Sequence, residues 1–457
     1  MANRNSIYTI LHASLRPPAL GPRFALLSDK DLLALARLTG FVCRSARKLN
    51  LRGFVLSCMV LALQQTCSLR NQAVLAGLGG ATTISKQALF RRLSSRATCF
   101  LEGCLAAAIS ARLTTGGPGC RCANFKRILI QDSTCLSLPA RLAALFPGPS
   151  NQSGKRQACL RIQCLYDLLS ERFLSFALSP FTRNDQASAS DLIPLLGAGD
   201  LVLRDLGYFT LGSFKAIAAS GAFFLTRLRY GVILFSSNGT QILDLARMLR
   251  AGQTLDIEVL LGQQDRLPVR LLAFPLPQAA ANERRRKART DRDKRLSHSE
   301  AYLHQLGWNL FLTNASKDRL PLATAAKLYR LRWRVEILFK AWKSHLGLAH
   351  VSKLGRRQVE VLVYGLLLFA VLMHNAAPLA CATNNAGQPA HPPPLSLLRV
   401  AQFSGAWLLT LLFAELGSGE LEQRLRAQIR AHCRYDSRRN EEPTSKAQRA
   451  AVSVLHF

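Results

Sequence analysis

The stretch "LYRLRWRVEILFKAWKSHLG", Leu328 to Gly347, sets four polar side chains among bulky apolar ones. At about 100° per residue on a helix, Arg332, Glu336 and Lys343 fall roughly 60°, 20° and 40° from Tyr329, so all four share one narrow face. Leu328, Leu331, Val335, Leu338, Trp342 and Leu346 take the opposite face, at the spacing of a core-facing stripe. The pattern predicts one amphipathic helix whose polar side carries an acid ringed by two cations and a phenol. A solvated face of ordinary ion pairs would look the same in isolation. The choice between the two falls to the rest of the chain.

Charge narrows it first. The 457 residues carry 60 Lys and Arg against 27 Asp and Glu, a formal charge of +33. A chain that basic calls for a polyanionic partner, with nucleic acid foremost. At 49% hydrophobic it is no disordered polycation, and its length suffices for two or three domains around a sizeable core. The longest apolar run, Val361 to Met373, has 13 residues, short of the roughly 18–20 of a spanning helix, and reads as a buried core helix. The N-terminal "MANRNSIYTILHASLRPP" has no signal-peptide apolar core, so the expectation is a cytoplasmic protein with no membrane partner. Twelve cysteines include no CxxC pair and no zinc pattern with histidine; they read as reduced and mostly buried.

Texture divides the chain. Residues 1–115 read as a helical N-terminal DNA-binding domain, in which "SKQALFRRL" follows a glycine turn with Ser85 as N-cap of a long helix. That helix–turn–helix shape could present Lys86, Arg91 and Arg92 to DNA, or pack as a plain helical hairpin. "TTGGPGCRC" (114–122) reads as a linker. Over 123–221, "FKRILIQDST", "ACLRIQCLYDL" and "RFLSFALSPF" are strand candidates, "DQASASDLIPLLGAG" a capped helix, and "DLVLRDLGYF" a further strand. Residues 222–306 form a β-rich insertion ending in one basic helix, with eight Lys or Arg among residues 284–295. Arg284, Arg285 and Arg286 in that helix are read as DNA-backbone contacts. Residues 307–380 hold the strand "WNLFLTNAS" and the opening helix, and 381–457 a helical segment with a basic tail.

Three acids stand out by position: Asp132 and Asp205 where apolar strands end, and Glu336 on the helix. Carboxylates converging from strand ends and a helix make a hard-oxygen site suited to two Mg²⁺ ions that bind substrate phosphates. Each alone reads equally well as a turn residue or cap.

Tyr329-x2-Arg332-x3-Glu336-x6-Lys343 reproduces without a gap the Y-(2)-R-(3)-E-(6)-K signature of DDE transposases of the insertion-sequence-four family. The resemblance extends to "QDSTCLSLP" around Asp132, "RDLGYFTLGSF" around Asp205, "WNLFLTNAS" and the helical N-terminus. It implies an α/β catalytic core of ribonuclease H-like fold, a mixed sheet with flanking helices, interrupted by a β-rich insertion between Asp205 and Glu336. It further implies that Asp132, Asp205 and Glu336 are the catalytic, metal-binding triad for two Mg²⁺ ions, with Mn²⁺ able to substitute. Arg332 and Lys343 would bind phosphates next to the scissile one, and Tyr329 would hydrogen-bond the same backbone. Trp308 would stack on a flipped base, provided its ring is exposed; otherwise it closes the sheet as a core residue. The implied activity is transposition of a bacterial insertion sequence. The enzyme would bind terminal inverted repeats in double-stranded DNA as a homodimer on the nucleoid, cleave both ends and join them to target DNA. A nuclease that cuts without joining, or a catalytically dead DNA-binding derivative, would share the fold.

Overall fold

The computed structural model describes residues 28–44, 49–64, 68–77, 84–110, 124–149, 157–290, 298–345, 355–382, 396, 398–400 and 402. At its centre, β1 (Ile128–Leu138), β2 (Ala158–Asp167) and β3 (Arg172–Pro180) form an antiparallel meander. β2 is buried along its whole length, as befits a strand covered on both faces. β4 (Leu201–Arg204) then pairs parallel to β1, α6 (Leu211–Ala219) crosses over, and β5 (Phe223–Arg227) pairs parallel to β4. The order β3-β2-β1-β4-β5, three antiparallel strands followed by two parallel ones, is the ribonuclease H-like core. The capped helix expected from "DQASASDLIPLLGAG" is instead a run of turns with a short 3₁₀ turn at Ile193–Leu195. Its amides bond three residues back, as in Ala189 N to Gln186 O (3.1 Å) and Asp191 N to Ser188 O (3.1 Å), and Pro194 contributes no N–H.

The sheet does not stop at the core. β5 pairs antiparallel with β9 (Trp308–Thr313), which pairs with β8 (Leu267–Pro275), then β7 (Leu255–Leu261) and β6 (Leu234–Ser236). Among the described residues the strands make one nine-stranded sheet, so the β-rich segment extends the core sheet. α7 (Leu245–Arg250) lies within this extension. The single basic helix expected near residue 290 is two helices, α8 (Gln278–Arg289) and α9 (Glu300–Gln305).

Apolar residues alternate across the strands into two cores. Ile128, Ile130, Leu201, Leu203 and Leu225 face one side, with α10 (Leu322–Arg330), α11 (Trp333–His345), α12 (Arg356–Ala382) and the N-terminal helices. These are α1 (Asp29–Leu38), α2 (Leu51–Gln64), α3 (Leu69–Gly77), α4 (Lys86–Arg92) and α5 (Ser95–Ser110). Leu129, Val202, Phe224, Leu271 and Leu312 face the other side, with α6. Ser85 caps α4 as expected, its hydroxyl accepting from Ala88 N at 3.2 Å. The long helix expected after it breaks at Leu93–Ser94, where Leu93 turns its buried side chain inward. α12 extends well beyond its apolar run to 27 residues. By length and composition it could cross a membrane, but 78% of its most apolar window is buried within the protein. Gly365 lets it approach α2 closely; a Cβ there would stand 2.9 Å from the Cys58 carbonyl oxygen. The expected linker at 114–122 and the basic tail that ends the segment 381–457 lie outside the described residues.

The inner end of α12 is tied to the β2–β3 turn. Buried His374 meets the Glu171 carbonyl oxygen through Nε2 at 2.5 Å, between the rings of Tyr166 and Phe173. Glu171, in a left-handed conformation, takes Arg334 of α11 on its carboxylate at 2.5 Å. Burial pushes the His374 imidazole below its ordinary pKa, with the Arg334 charge adding to the shift and Glu171 opposing it. The folded state therefore holds fewer protons than the unfolded one. The stability this contributes is complete above about pH 6.5 and is lost as the pH falls from there through the lower folded value. His374→Gln retains an N–H donor without titrating. It should flatten the acid side of a plot of urea midpoint against pH, and a wild-type slope in the variant would rule His374 out as the cause.

Candidate active site

The two aspartates meet through strand register. β1 and β4 pair from Ile128↔Leu201 to Gln131↔Arg204, so the next position on each strand sets Asp132 beside Asp205, one inter-strand spacing of about 4.8 Å apart. Asp132 was expected at a strand end, yet β1 runs on to Leu138 against β2; only the β4 pairing ends there. Both acids fall on the face covered by α10 and α11.

The amphipathic segment reaches that face broken in two. Leu331 N to Leu328 O (2.9 Å), Arg332 N to Tyr329 O (3.2 Å) and Arg334 N to Leu331 O (3.0 Å) form a tight turn between α10 and α11. One continuous helix would set Leu331 and Arg332 about 100° apart; the tightened turn buries both side chains. Arg332, 6% exposed in its side chain, spans the site. Its Nη1 donates to Asp132 Oδ2 at 2.8 Å and its Nη2 to Glu336 Oε1 at 2.7 Å. Burial opposes the guanidinium charge, but the carboxylates of Asp132, Asp205 and Glu336 outweigh it and raise its pKa. Burial pushes Asp132 up to about 6; Arg332 and the Ser133 N–H work against that rise, and Glu336 and Asp205 add to it.

Tyr329 completes the pattern from α10. Its hydroxyl donates to Arg204 O at 3.1 Å and to Asp205 Oδ1 at 3.4 Å. Burial raises its pKa to about 12, with Asp205 adding to the effect, so it remains a phenol and a donor. Arg332 thus bridges Asp132 and Glu336, and Tyr329 holds Asp205. Lys343, two turns along α11 from Glu336, is half-buried and has no ion pair among the described residues. The site also contains residues that motif reading passed over. Arg227, at the end of β5, lies 5.5 Å over the Tyr329 ring. Trp333 is 44% exposed, with the Arg332 guanidinium 6.0 Å and the Lys340 ammonium 5.8 Å from its ring. An aromatic directly after the motif arginine was the available signal for Trp333; Arg227 had none, because only sheet order brings β5 to the site.

The donor set suits a hard divalent cation: three carboxylates, with no thiolate or imidazole among them. Among the described residues no three acids, histidines or cysteines converge tightly enough to hold one ion as they stand. The geometry gives the reason. A guanidinium occupies the gap between Asp132 and Glu336, so an ion sharing those oxygens must displace it. Asp132, Asp205 and Glu336 fit such an ion once Arg332 has another anion to bind.

Two other expectations meet the structure differently. Trp308 is 8% exposed and packs with Leu310 and Leu312 in the core on the opposite face of the sheet from Asp132. The exposed ring that stacking requires is absent there, and Trp308 closes the sheet as a core residue. Of the three arginines of the basic helix, two point into the protein. Arg284 donates to Trp308 O (3.2 Å) and Asn309 Oδ1 (3.1 Å), and Arg285 to Leu303 O (3.0 Å). They dock α8 onto the start of β9 and onto α9. Arg286 pairs with Glu283 in the same helix and is exposed, as are Lys287 and Arg289.

Paired aspartates on adjacent parallel strands, a glutamate from the covering helix and a cationic rim define a ribonuclease H-like enzyme of phosphodiester chemistry. A family profile described as the transposase DDE domain matches residues 123–372. The transposase for insertion sequence element IS231B of Bacillus thuringiensis subsp. berliner is 30% identical over 368 residues, 75% of this chain and 76% of that protein. The transposase for insertion sequence element IS1151 of Clostridium perfringens is 27% identical over 268 residues, 54% of this chain and 56% of that protein. Among solved structures, the piggyBac transposase synaptic complex with hairpin DNA aligns over 96% of this chain and 83% of that one, with 11% identity and a TM-score of 0.43. The chain belongs to the DDE transposases of the insertion-sequence-four-like group, enzymes that cleave DNA and transfer the cut strand and that generally use divalent metals.

The placement of Trp308 has a measurable consequence. Trp308→Ala should lower unfolding free energy by about 3–5 kcal/mol, as expected for an aromatic removed from a packed core. Denaturant unfolding checks this. A cost below about 1 kcal/mol would return the ring to the surface.

Proposed function

We propose that this transposase binds the terminal inverted repeats of its own insertion sequence as a dimer, cleaves both ends and joins the freed 3′-OH ends to target DNA in the bacterial cytoplasm. The observation that carries the reading is Asp132 beside Asp205 with Glu336 drawn over them by Arg332. Two Mg²⁺ ions held by these carboxylates would supply the Lewis acidity of an in-line displacement at phosphorus. The chain's own part is to place the phosphate. Arg332 presents a planar fork, matched to the oxygens of a phosphate as well as to carboxylates. When DNA enters, the guanidinium exchanges its carboxylate partners for backbone phosphate, which frees Asp132 and Glu336 for metal.

Around that exchange the neighbours take fixed roles. Tyr329 keeps Asp205 turned toward the site through its hydroxyl. Arg227 and Lys343 extend the cationic rim along the strand to be cut. The open Trp333 ring, flanked by cations, is the aromatic surface a base can reach. The exposed Arg286, Lys287 and Arg289 of α8 add phosphate contacts that supply affinity without base preference.

Three measurements test these roles. Asp132→Asn, Asp205→Asn and Glu336→Gln should each abolish cleavage and joining while repeat binding stays near wild type, because binding draws on many phosphate contacts. A variant that still nicks DNA at the wild-type rate removes that residue from the triad. Arg332→Ala should raise the single-turnover cleavage barrier on pre-bound ends by about 2–4 kcal/mol with bulk affinity changed well under tenfold, and Lys343→Ala should act more mildly. Wild-type rates in both would make the polar face ordinary surface. Replacing Arg286, Lys287 and Arg289 with Ala should flatten the slope of log K against log salt by roughly 0.9 per lost contact, whereas Arg284→Ala should instead lower stability. An unchanged slope would detach α8 from DNA.

A further inference from the structure

We infer that Asp185, in the turn-rich connection between β3 and β4, is a positioning residue that holds the two catalytic aspartates at their working separation; the inference rests on the triad assigned above. Strand register brings their backbones side by side but does not hold their carboxylates. The β1–β4 ladder ends at Gln131↔Arg204, one residue short of both acids, and their like charges push them apart.

A side-chain network lies directly beneath them, on the far side of the sheet. Asp185 Oδ1 accepts three hydrogen bonds, from Ser133 Oγ (2.7 Å), Arg161 Nη1 (2.8 Å) and Gln163 Nε2 (3.0 Å). Arg161 Nη1 also donates to Ser133 Oγ at 3.0 Å. Ser133 follows Asp132 directly, and its N–H donates to Asp132 Oδ1 at 2.8 Å. The other oxygen of Asp185 lies against the turn after Asp205; a Cβ added at Gly207 would stand 3.0 Å from it. The next residue in that turn, buried Tyr208, donates through its hydroxyl to Gln163 Oε1 at 2.6 Å. One carboxylate thus grips the residue after Asp132, braces the turn after Asp205 and anchors both to β2.

A simple loop anchor would look different. The preceding residue, Asn184, caps its own turn by accepting from Ala187 N at 2.9 Å. The three donors to Asp185, Ser133, Arg161 and Gln163, come instead from the sheet. The network also explains why position 207 is glycine, since any side chain there would displace Asp185.

The test measures metal binding as well as cutting, in the full-length protein bound to a repeat-end duplex. Mn²⁺ affinity is read from the electron paramagnetic resonance of free ion, and the Mg²⁺ concentration for half-maximal cleavage from single turnovers. Asp185→Asn should weaken Mn²⁺ binding and raise the Mg²⁺ midpoint about tenfold or more, the range found when partners that orient metal ligands are removed. DNA affinity should stay within about twofold, and much of the rate should return at saturating metal. Ser133→Ala, which leaves the Arg161–Asp185 pair in place, should shift both readouts in the same direction by less, and it decides the matter if Asp185→Asn fails to fold. Wild-type Mn²⁺ affinity and Mg²⁺ midpoint, with only the melting temperature lowered, would reduce Asp185 to a loop anchor and overturn the inference. An Asp132→Ala control separates the two readings. If it binds Mn²⁺ as the wild type does, the triad assignment itself fails and takes the inference with it; if it does not, the Asp185 result stands alone.

Discussion

A single guanidinium organises the acidic face of the sheet. Arg332 spans Asp132 on β1 and Glu336 on α11, and that bridge joins an acid of the sheet to an acid of the helix above it. Like charges brought this close repel, and the guanidinium between them offsets that repulsion. The turn that splits the segment into α10 and α11 is part of the same arrangement, since it buries Arg332 beside the strands. Lysine would not serve, because its point charge cannot reach two separate carboxylates in fixed directions.

The catalytic core was legible because its signal was local. Asp132, Asp205 and Glu336 each sit at a conspicuous place in the chain, and the apolar runs before the two aspartates became β1 and β4. Tertiary packing overrode local pattern elsewhere. The period of residues 328–347 is helical throughout, and only the need to bury Leu331 and Arg332 together breaks it. "DQASASDLIPLLGAG" carries helix-like caps, yet Asp185 turns its carboxylate to donors on the sheet. Arg284 and Arg285 read as DNA contacts because composition records charge and not direction. Trp308 stands at a motif position, but strand alternation sends it through the sheet with Leu310 and Leu312. Arg227 and Asp185 could not be found at all, because both reach the site through pairings between distant strands.

The two faces of the sheet divide the labour. One carries the acids, the cationic rim and the helices that bury the N-terminal half against α12. The other is apolar around α6 and polar beneath the acids, where Ser133, Arg161, Gln163 and Asp185 form a hydrogen-bonded floor. A buried polar floor costs stability unless its donors are matched; Asp185 satisfies Ser133 Oγ, Arg161 Nη1 and Gln163 Nε2, while Arg161 Nε has no partner.

The continuity of the sheet through β9 to β6 gives the molecule the character of a caliper. Three inter-strand steps of about 4.8 Å carry the frame from β1, which bears Asp132, to β9, a span of roughly 14 Å. The jaws of such an instrument are held by ladder hydrogen bonds, with no hinge between them, and α8 is clipped to the frame by Arg284 and Arg285. The spacing between α8 and Asp132 is therefore set by the same group of strands. A one-residue slip in β9 would turn its side chains to the opposite face and unseat α8, spoiling the gauge without touching a catalytic group.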